Sequence, residues 1–209
     1  FPEIILTAVP DEGGFARFDE NAVRSVCENC DALAVGMGSG AGRGLYGCIA
    51  YMLSEFKGTL VLDADALNAL AAYGADVLRE KSCRVVLTPH LKEFSRLAGV
   101  SLEEVKAGGV ALAEKFAAEY GVTLLLKSNA CIATNGRNTA LVAEGTPALA
   151  RGGSGDVLSG IVCALAARGV TAMRACVCGA HLLGRAGALA EAESNEYSVT
   201  ASDVMNKIP

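Results

Sequence analysis

Residues 150–162 read ARGGSGDVLSGIV: four glycines, two serines and one aspartate at the head of an apolar helical run. Glycine lowers helix propensity and costs order on folding, so packing alone does not ask for that backbone. Residues 152–155, Gly-Gly-Ser-Gly, place bare amides at the start of a helix, and Asp156 falls in its first turn. Free N–H groups and the positive end of the helix dipole make an anion site there. No Gly-Lys-Ser/Thr is present, so the loop is not a P-loop. A carboxylate beside an anion hole repels phosphate unless it has a task. The simplest task is to take a proton from a hydroxyl as that oxygen attacks phosphorus. The plain alternative is a first-turn acid that only complements the dipole.

Outward from this loop the chain alternates strands and helices. Strands are expected over 31–38, 58–65, 84–90 and 122–127, and helices over 45–56, 66–79, 91–98, 102–120, 156–168 and 172–192, with a short one at 201–207. Ser101 and Glu104 form a capping box, Gly99 closes the helix before it, and Asn135-Gly136 marks a hairpin. Continuous apolar strands between helices predict an α/β fold: a mostly parallel central sheet with helices on both faces. Ligands of such sheets bind beyond the carboxyl ends of the strands. The segments to read are therefore Gly36–Gly40, Asp63–Asn68, Thr88–Glu93 and Lys127–Ala130.

The first of these, GMGSGAGRGLYG from residue 36, holds two overlapping dinucleotide fingerprints, with Asp63 placed about twenty residues on as a ribose acid would be. A Rossmann dehydrogenase is thus a competing reading at this point. Asp65 reads as the N-cap of the helix from Ala66, whereas Asp63 is not explained by capping and could face a substrate.

Composition narrows the classes. The 209 residues are 52% hydrophobic and 5% aromatic, enough for one sizeable core and against disorder. The net charge is -5 from 23 acidic and 18 basic residues, without a basic run, which argues against a nucleic-acid partner. No apolar stretch reaches the length of a membrane span, so no membrane partner is expected. Of the eight cysteines only Cys27 and Cys30 form a CxxC, and no second pair completes a zinc set. Reduced, structural thiols in a cytoplasmic protein are expected. The chain opens at Phe1 rather than Met, which raises the expectation of a removed leader or a longer parent polypeptide.

RGGSGDVLSGIVCALAARG resembles the GTGD signature of the ribokinase-like superfamily. VLDADALNAL, LTPHLKEFSRLAG and LLLKSNACIATNGR resemble the ADP/ATP-dependent NAD(P)H-hydrate dehydratases within it, as do VGMGSG and the closing VTASDVMNKIP. The blocks keep the family's order across nearly the whole chain, and the dehydrogenase reading recedes. The resemblance implies one ribokinase-like domain over 1–209, lacking the family's amino-terminal portion. It departs from the family at Ser128, where a glycine is usual, and at Ser154, where a threonine is usual.

The activity it implies is repair of hydrated NADH or NADPH, by phosphorylation of the ring hydroxyl from ADP or ATP with Mg²⁺ and loss of phosphate. In that reading Asp156 is the catalytic base. Gly38, Gly40, Asp63, His90 and Asp156 meet the substrate. Lys127, Ser128, Asn129, Ala130 and Cys131, with Gly153, Ser154 and Gly155, bind the nucleotide. Glu93 helps order water around Mg²⁺; spacing alone also allows a helix first-turn acid. His181 is expected to be a hydrogen-bonded packing residue. A homo-oligomer is expected from the family. Two rivals remain: a small-alcohol, vitamin-precursor kinase of the same fold, and a non-catalytic nucleotide-binding subunit.

Overall fold

The structure, a computed structural model, describes residue 5 and residues 8–209. A two-stranded ribbon, β1 (Asp11–Glu12) and β2 (Phe15–Ala16), precedes helix α1 (Glu20–Glu28). The central sheet has six strands: β3 (Ala32–Val35), β4 (Thr59–Leu62), β5 (Arg84–Leu87), β6 (Thr123–Leu126), β7 (Cys131–Thr134) and β8 (Thr139–Val142). They lie side by side in chain order. β3 to β6 run parallel, and β7 and β8 close one edge as an antiparallel hairpin.

That order decides where the helices go. A right-handed crossover that always steps the same way returns on the same face of the sheet. α2 (Arg43–Glu55), α3 (Asp65–Tyr73), α4 (Leu91–Ala98) and α5 (Leu102–Tyr120) therefore share one core with Leu60, Leu62, Val85, Leu87, Leu124 and Leu126. α6 (Ser154–Ala167), α7 (Ala172–Glu193) and α8 (Ala201–Met205) follow the hairpin and cover the opposite face, where Val61, Val86, Leu125 and Ala133 point. Strand residues alternate between the two cores, which is why the strands read as unbroken apolar runs. Truncating a wholly buried strand residue such as Leu62 or Leu125 to alanine costs about 2–5 kcal/mol. The expected fold class is the observed one.

The expected strands all stop early: β3 ends at Val35, β4 at Leu62, β5 at Leu87 and β6 at Leu126. The residues beyond turn away from the ladder and build one rim of the sheet. The helix expected over 66–79 breaks at Gly74 (φ 119°) and continues as a 3-10 turn, Ala75–Arg79. The Ser101–Glu104 capping box and the Gly99 terminus are as expected. Helix α1 lies outside the expected elements; Asp19 caps it, its carboxylate accepting from the Ala22 N–H. Among the described residues no helix is long and apolar enough to cross a membrane.

Candidate active site

All the strand-end segments converge on the carboxyl rim of β3 to β6, joined by short contacts. Gly36 follows β3 with φ 122°, a conformation open chiefly to glycine. A Cβ there would also lie 1.9 Å from the Asp63 carbonyl oxygen, so the loops after β3 and β4 are locked together. The Asp65 carboxylate accepts from the Gly40 N–H at 2.8 Å. Asp65 is therefore not the cap of α3 that its position suggested; Ala64 takes that place with φ 49°, and Asp65 steadies the glycine loop. Gly40 leaves room for Phe15, whose ring would stand 2.0 Å from a Cβ. Gly38 is exposed and has nothing against it.

Asp63 is buried at the end of β4, with its side chain only 2% exposed. Its Oδ1 accepts from the Lys127 Nζ at 2.8 Å and from the Ala64 N–H at 2.9 Å, and its Oδ2 accepts from the Ser159 hydroxyl at 2.7 Å. Ser159 lies on α6, fully buried, 3.4 Å from the Thr88 hydroxyl at the end of β5. Sequence reading singled out neither Ser159 nor its link to Asp63. A separation of 96 positions leaves no local signal.

Lys127 follows β6, its N–H donating to the Pro89 carbonyl at 2.8 Å, and it bridges to His90 across the strand ends. Its ammonium reaches α6: a Cβ on Gly155 would stand 3.3 Å from Nζ. Beyond it, Ser128 and Asn129 are exposed, while Cys131 is half-buried and its thiol is pushed up by burial. The Ser128 hydroxyl donates to the Ala130 carbonyl at 2.5 Å, so the side chain that departs from the family pattern folds back on its own loop.

His90 is the N-cap of α4. Its Nδ1 accepts from the N–H groups of Lys92 and Glu93, both at 3.1 Å, while the Glu93 carboxylate accepts from the His90 N–H at 2.8 Å. With Nδ1 an acceptor, a neutral imidazole carries its proton on Nε2. That Nε2 lies 3.5 Å from the second oxygen of Glu93 on a half-exposed ring. Burial lowers the pKa of the imidazole from its ordinary value, against the pull of Glu93. Glu93 is itself buried, and its first task is the capping box.

α6 begins at Ser154 behind Gly153, which takes φ 90°, the left-handed region that favours glycine. Arg151 ties the loop to the closing segment by donating to the Glu196 and Tyr197 carbonyls. Asp156 is exposed in the first turn and, among the described residues, makes no side-chain hydrogen bond or ion pair. A carboxylate left unengaged beside free helix amides is placed to accept a proton from a group held there. His181 stands apart, half-exposed on α7 with Nδ1 3.0 Å from the Glu144 carboxylate. All eight cysteines are free thiols, with Cys27 and Cys30 lining a cavity of about 560 Å³ at the opposite end of the sheet.

The sequence profile described as NAD(P)H-hydrate dehydratase matches residues 3–209. A bifunctional NAD(P)H-hydrate repair enzyme Nnr of Hyperthermus butylicus is 36% identical over 194 residues, covering 90% of this chain and 35% of that protein. An ADP-dependent (S)-NAD(P)H-hydrate dehydratase of Neisseria meningitidis serogroup B is 36% identical over 189 residues, covering 89% of this chain and 60% of that protein. This chain thus spans between about a third and three fifths of the length of these curated relatives. The crystal structure of a Bacillus subtilis ADP/ATP-dependent NAD(P)H-hydrate dehydratase superposes with a TM-score of 0.77 over 90% of this chain and 70% of that one, at 23% identity, a likeness of fold. With the fold ribokinase-like and the profile matched from end to end of its described core, the chain belongs to the NAD(P)H-hydrate dehydratase family.

Proposed function

We propose that the protein dehydrates hydrated NADH or NADPH at the expense of ADP or ATP. The observation that carries this reading is the placing of Asp156: an unengaged carboxylate in the first turn of α6, beside the amides of Gly153–Gly155 and the Lys127 ammonium. In this reading the loop amides and Lys127 hold the phosphoryl group to be transferred. Asp156 takes the proton of the ring hydroxyl as its oxygen attacks phosphorus, and the nucleotide leaves with one phosphate fewer. The hydroxyl, a poor leaving group, has become a phosphate ester. Expulsion of phosphate with loss of a proton from the neighbouring ring carbon restores the double bond. No redox change occurs.

Gly38, Gly40 and the Nε2–H of His90 face the same rim and would meet the nicotinamide-bearing substrate. Asn129, Ala130 and Cys131, with Lys127, Ser128 and Ser154, would line the nucleotide. Mg²⁺ would neutralise charge on the transferred phosphoryl group. Among the described residues no three His, Cys, Asp or Glu side chains are grouped to hold a metal. The chain therefore suits an ion carried by phosphates and water, as Mg²⁺ prefers, with Glu93 reaching it only through water. The family resemblance also supports a cytoplasmic homo-oligomer.

The test is incubation with ADP or ATP and hydrated NADH, following the return of dihydronicotinamide absorbance together with phosphate release. Recovery of absorbance with one phosphate freed per ring is the expected result. A stable phosphorylated product without recovery would instead identify a small-alcohol kinase. Nucleotide binding without turnover would identify a binding subunit.

A further inference from the structure

A buried polar chain runs beneath the candidate site, and the reaction described above does not use all of it. It links Thr88 after β5, Ser159 on α6, Asp63 after β4 and Lys127 after β6. Three of the four are essentially inaccessible: Thr88 and Ser159 are 0% exposed and Asp63 is 1% exposed. Only Lys127 reaches solvent, its side chain 20% exposed, and it does so against Gly155. Both Asp63 oxygens already accept from protein donors and the side chain is only 2% exposed, so a substrate does not reach this carboxylate.

Burying a carboxylate costs several kcal/mol, and a buried ion pair rarely stabilises a fold more than apolar residues of the same volume would. A fold-only account thus leaves the pair unexplained. Its geometry does explain it. Lys127 is a long side chain with three donors and many rotamers. Asp63 removes that freedom at the one place where the ammonium meets the loop of α6. Ser159, five residues along the same helix, fixes the other Asp63 oxygen, so the helix that carries the anion hole also sets the lysine aimed at it.

We propose that Asp63 is a positioning residue that acts through Lys127, with Ser159 as its second anchor. It holds the ammonium beneath Gly155 so that the phosphoryl group arrives at a charge already in place, an instance of electrostatic preorganisation. This inference rests on the phosphoryl-transfer reading of the site. It assigns Asp63 to the lysine rather than to the nicotinamide substrate.

The test is a double-mutant cycle read in turnover and in ADP affinity. Asp63→Asn, Ser159→Ala and Lys127→Met are made singly, and each of the first two is combined with Lys127→Met. Each single variant should lower kcat, Asp63→Asn by about tenfold or more, with a smaller loss in Ser159→Ala. Residues that act as a unit are strongly non-additive. In the Lys127→Met background neither further substitution should therefore lower kcat by more than about twofold. The KM for the hydrated substrate should stay near that of the wild type in Asp63→Asn, because the carboxylate does not touch it. Losses that multiply with Lys127→Met, or a KM that rises with kcat unchanged, would overturn the proposal and place Asp63 on the substrate. Should Asp63→Asn fail to fold, the Ser159→Ala cycle decides, since it removes only the hydroxyl's bonds to Asp63 and Thr88 and leaves both charges. A wild-type protein that neither binds ADP nor turns over hydrate overturns the functional reading and the inference together. A working wild type with multiplicative variants overturns the inference alone.

Discussion

Gly155 and Lys127 are fitted to one another: the lysine ammonium occupies the space that a side chain at 155 would enter, 3.3 Å from the position of its Cβ. Two segments 28 positions apart thus share a single point above the sheet, one bringing helix amides and the other a cation. Neither would make a convincing phosphoryl site alone. In the proposed reading the two together would surround a phosphoryl group beside Asp156 with donors and leave that carboxylate to handle a proton.

Gly155→Ala tests that fit. Residue 155 is helical and its φ lies outside the left-handed region, so alanine enters without backbone strain. Gly→Ala in a helix stabilises by up to about 0.5–1 kcal/mol. The new methyl group displaces the lysine tip by a few tenths of an ångström, at the cost of its contact with Asp63. The expected result is a thermal midpoint held or slightly raised, with ADP binding weakened several-fold by calorimetry. Unchanged affinity would take Lys127 out of the nucleotide site.

The strand-end segments could be named from sequence because the pattern that makes a parallel sheet also says where its ligands go. Asn135-Gly136, Ser101–Glu104 and Gly99 are local signals, and the structure honours each. What could not be read was long-range. Asp63 and Ser159 are joined only by the closing of α6 over β4. Ala64 takes φ 49° because the Asp63–Asp65 turn is pressed against Gly36, and nothing in alanine announces that. Asp65 looked like a cap for the same reason: its true partner, Gly40, lies 25 positions away. Helix α1 did carry a local signal, since Val23, Val26 and Cys27 stand at i, i+3 and i+4 and pack on the core, but it is short and only Val23 is fully buried.

His90 gives a prediction in pH. Burial lowers the pKa of its imidazole below the ordinary 6.5, with Glu93 opposing and Lys127 and Arg96 assisting. The folded chain therefore binds this proton less readily than the unfolded chain does. Its contribution to stability is complete above the unfolded pKa, falls as pH drops through that value, and is lost once the pH passes the folded one. Protonation also takes Nδ1 from the amides of Lys92 and Glu93. His90→Asn, a good cap that does not titrate, should flatten the decline as the pH falls below the ordinary imidazole value of 6.5. His90→Ala should cost about 0.5–2 kcal/mol at neutral pH through the lost cap. Urea unfolding as a function of pH measures both. An equal slope in wild type and His90→Asn would remove the imidazole as the cause.

The eight thiols should separate by reactivity. Burial pushes Cys176 up to about 12 and Cys83 up to about 11, and raises Cys48 as well. Thiolate is the reactive form, so near pH 8 those sites hold almost none. Cys30 and Cys178 are exposed. Timed alkylation of the folded protein followed by peptide mass spectrometry should label these two first and Cys176 last. Early labelling of Cys176 would mean that the α6–α7 packing opens readily.

Asp156→Asn carries the chemical claim. Asparagine keeps the size and can still donate or accept a hydrogen bond, but at neutral pH its amide does not take up a hydroxyl proton. Loss of a general base costs on the order of 10² to 10⁴ in rate. ADP affinity should hold or rise, because a negative charge beside bound phosphates is removed. Stability should hardly move, since a first-turn acid contributes only about 0.3–1 kcal/mol to a helix end and this side chain has no partner to lose among the described residues. Turnover, calorimetric affinity and thermal midpoint on the same purified variant separate the outcomes. Turnover near that of the wild type would exclude Asp156 as the base. Lost ADP binding together with lost turnover would make the residue structural. A collapse of turnover alone, with nucleotide still bound and the fold intact, is the result that the unengaged carboxylate at the head of α6 requires.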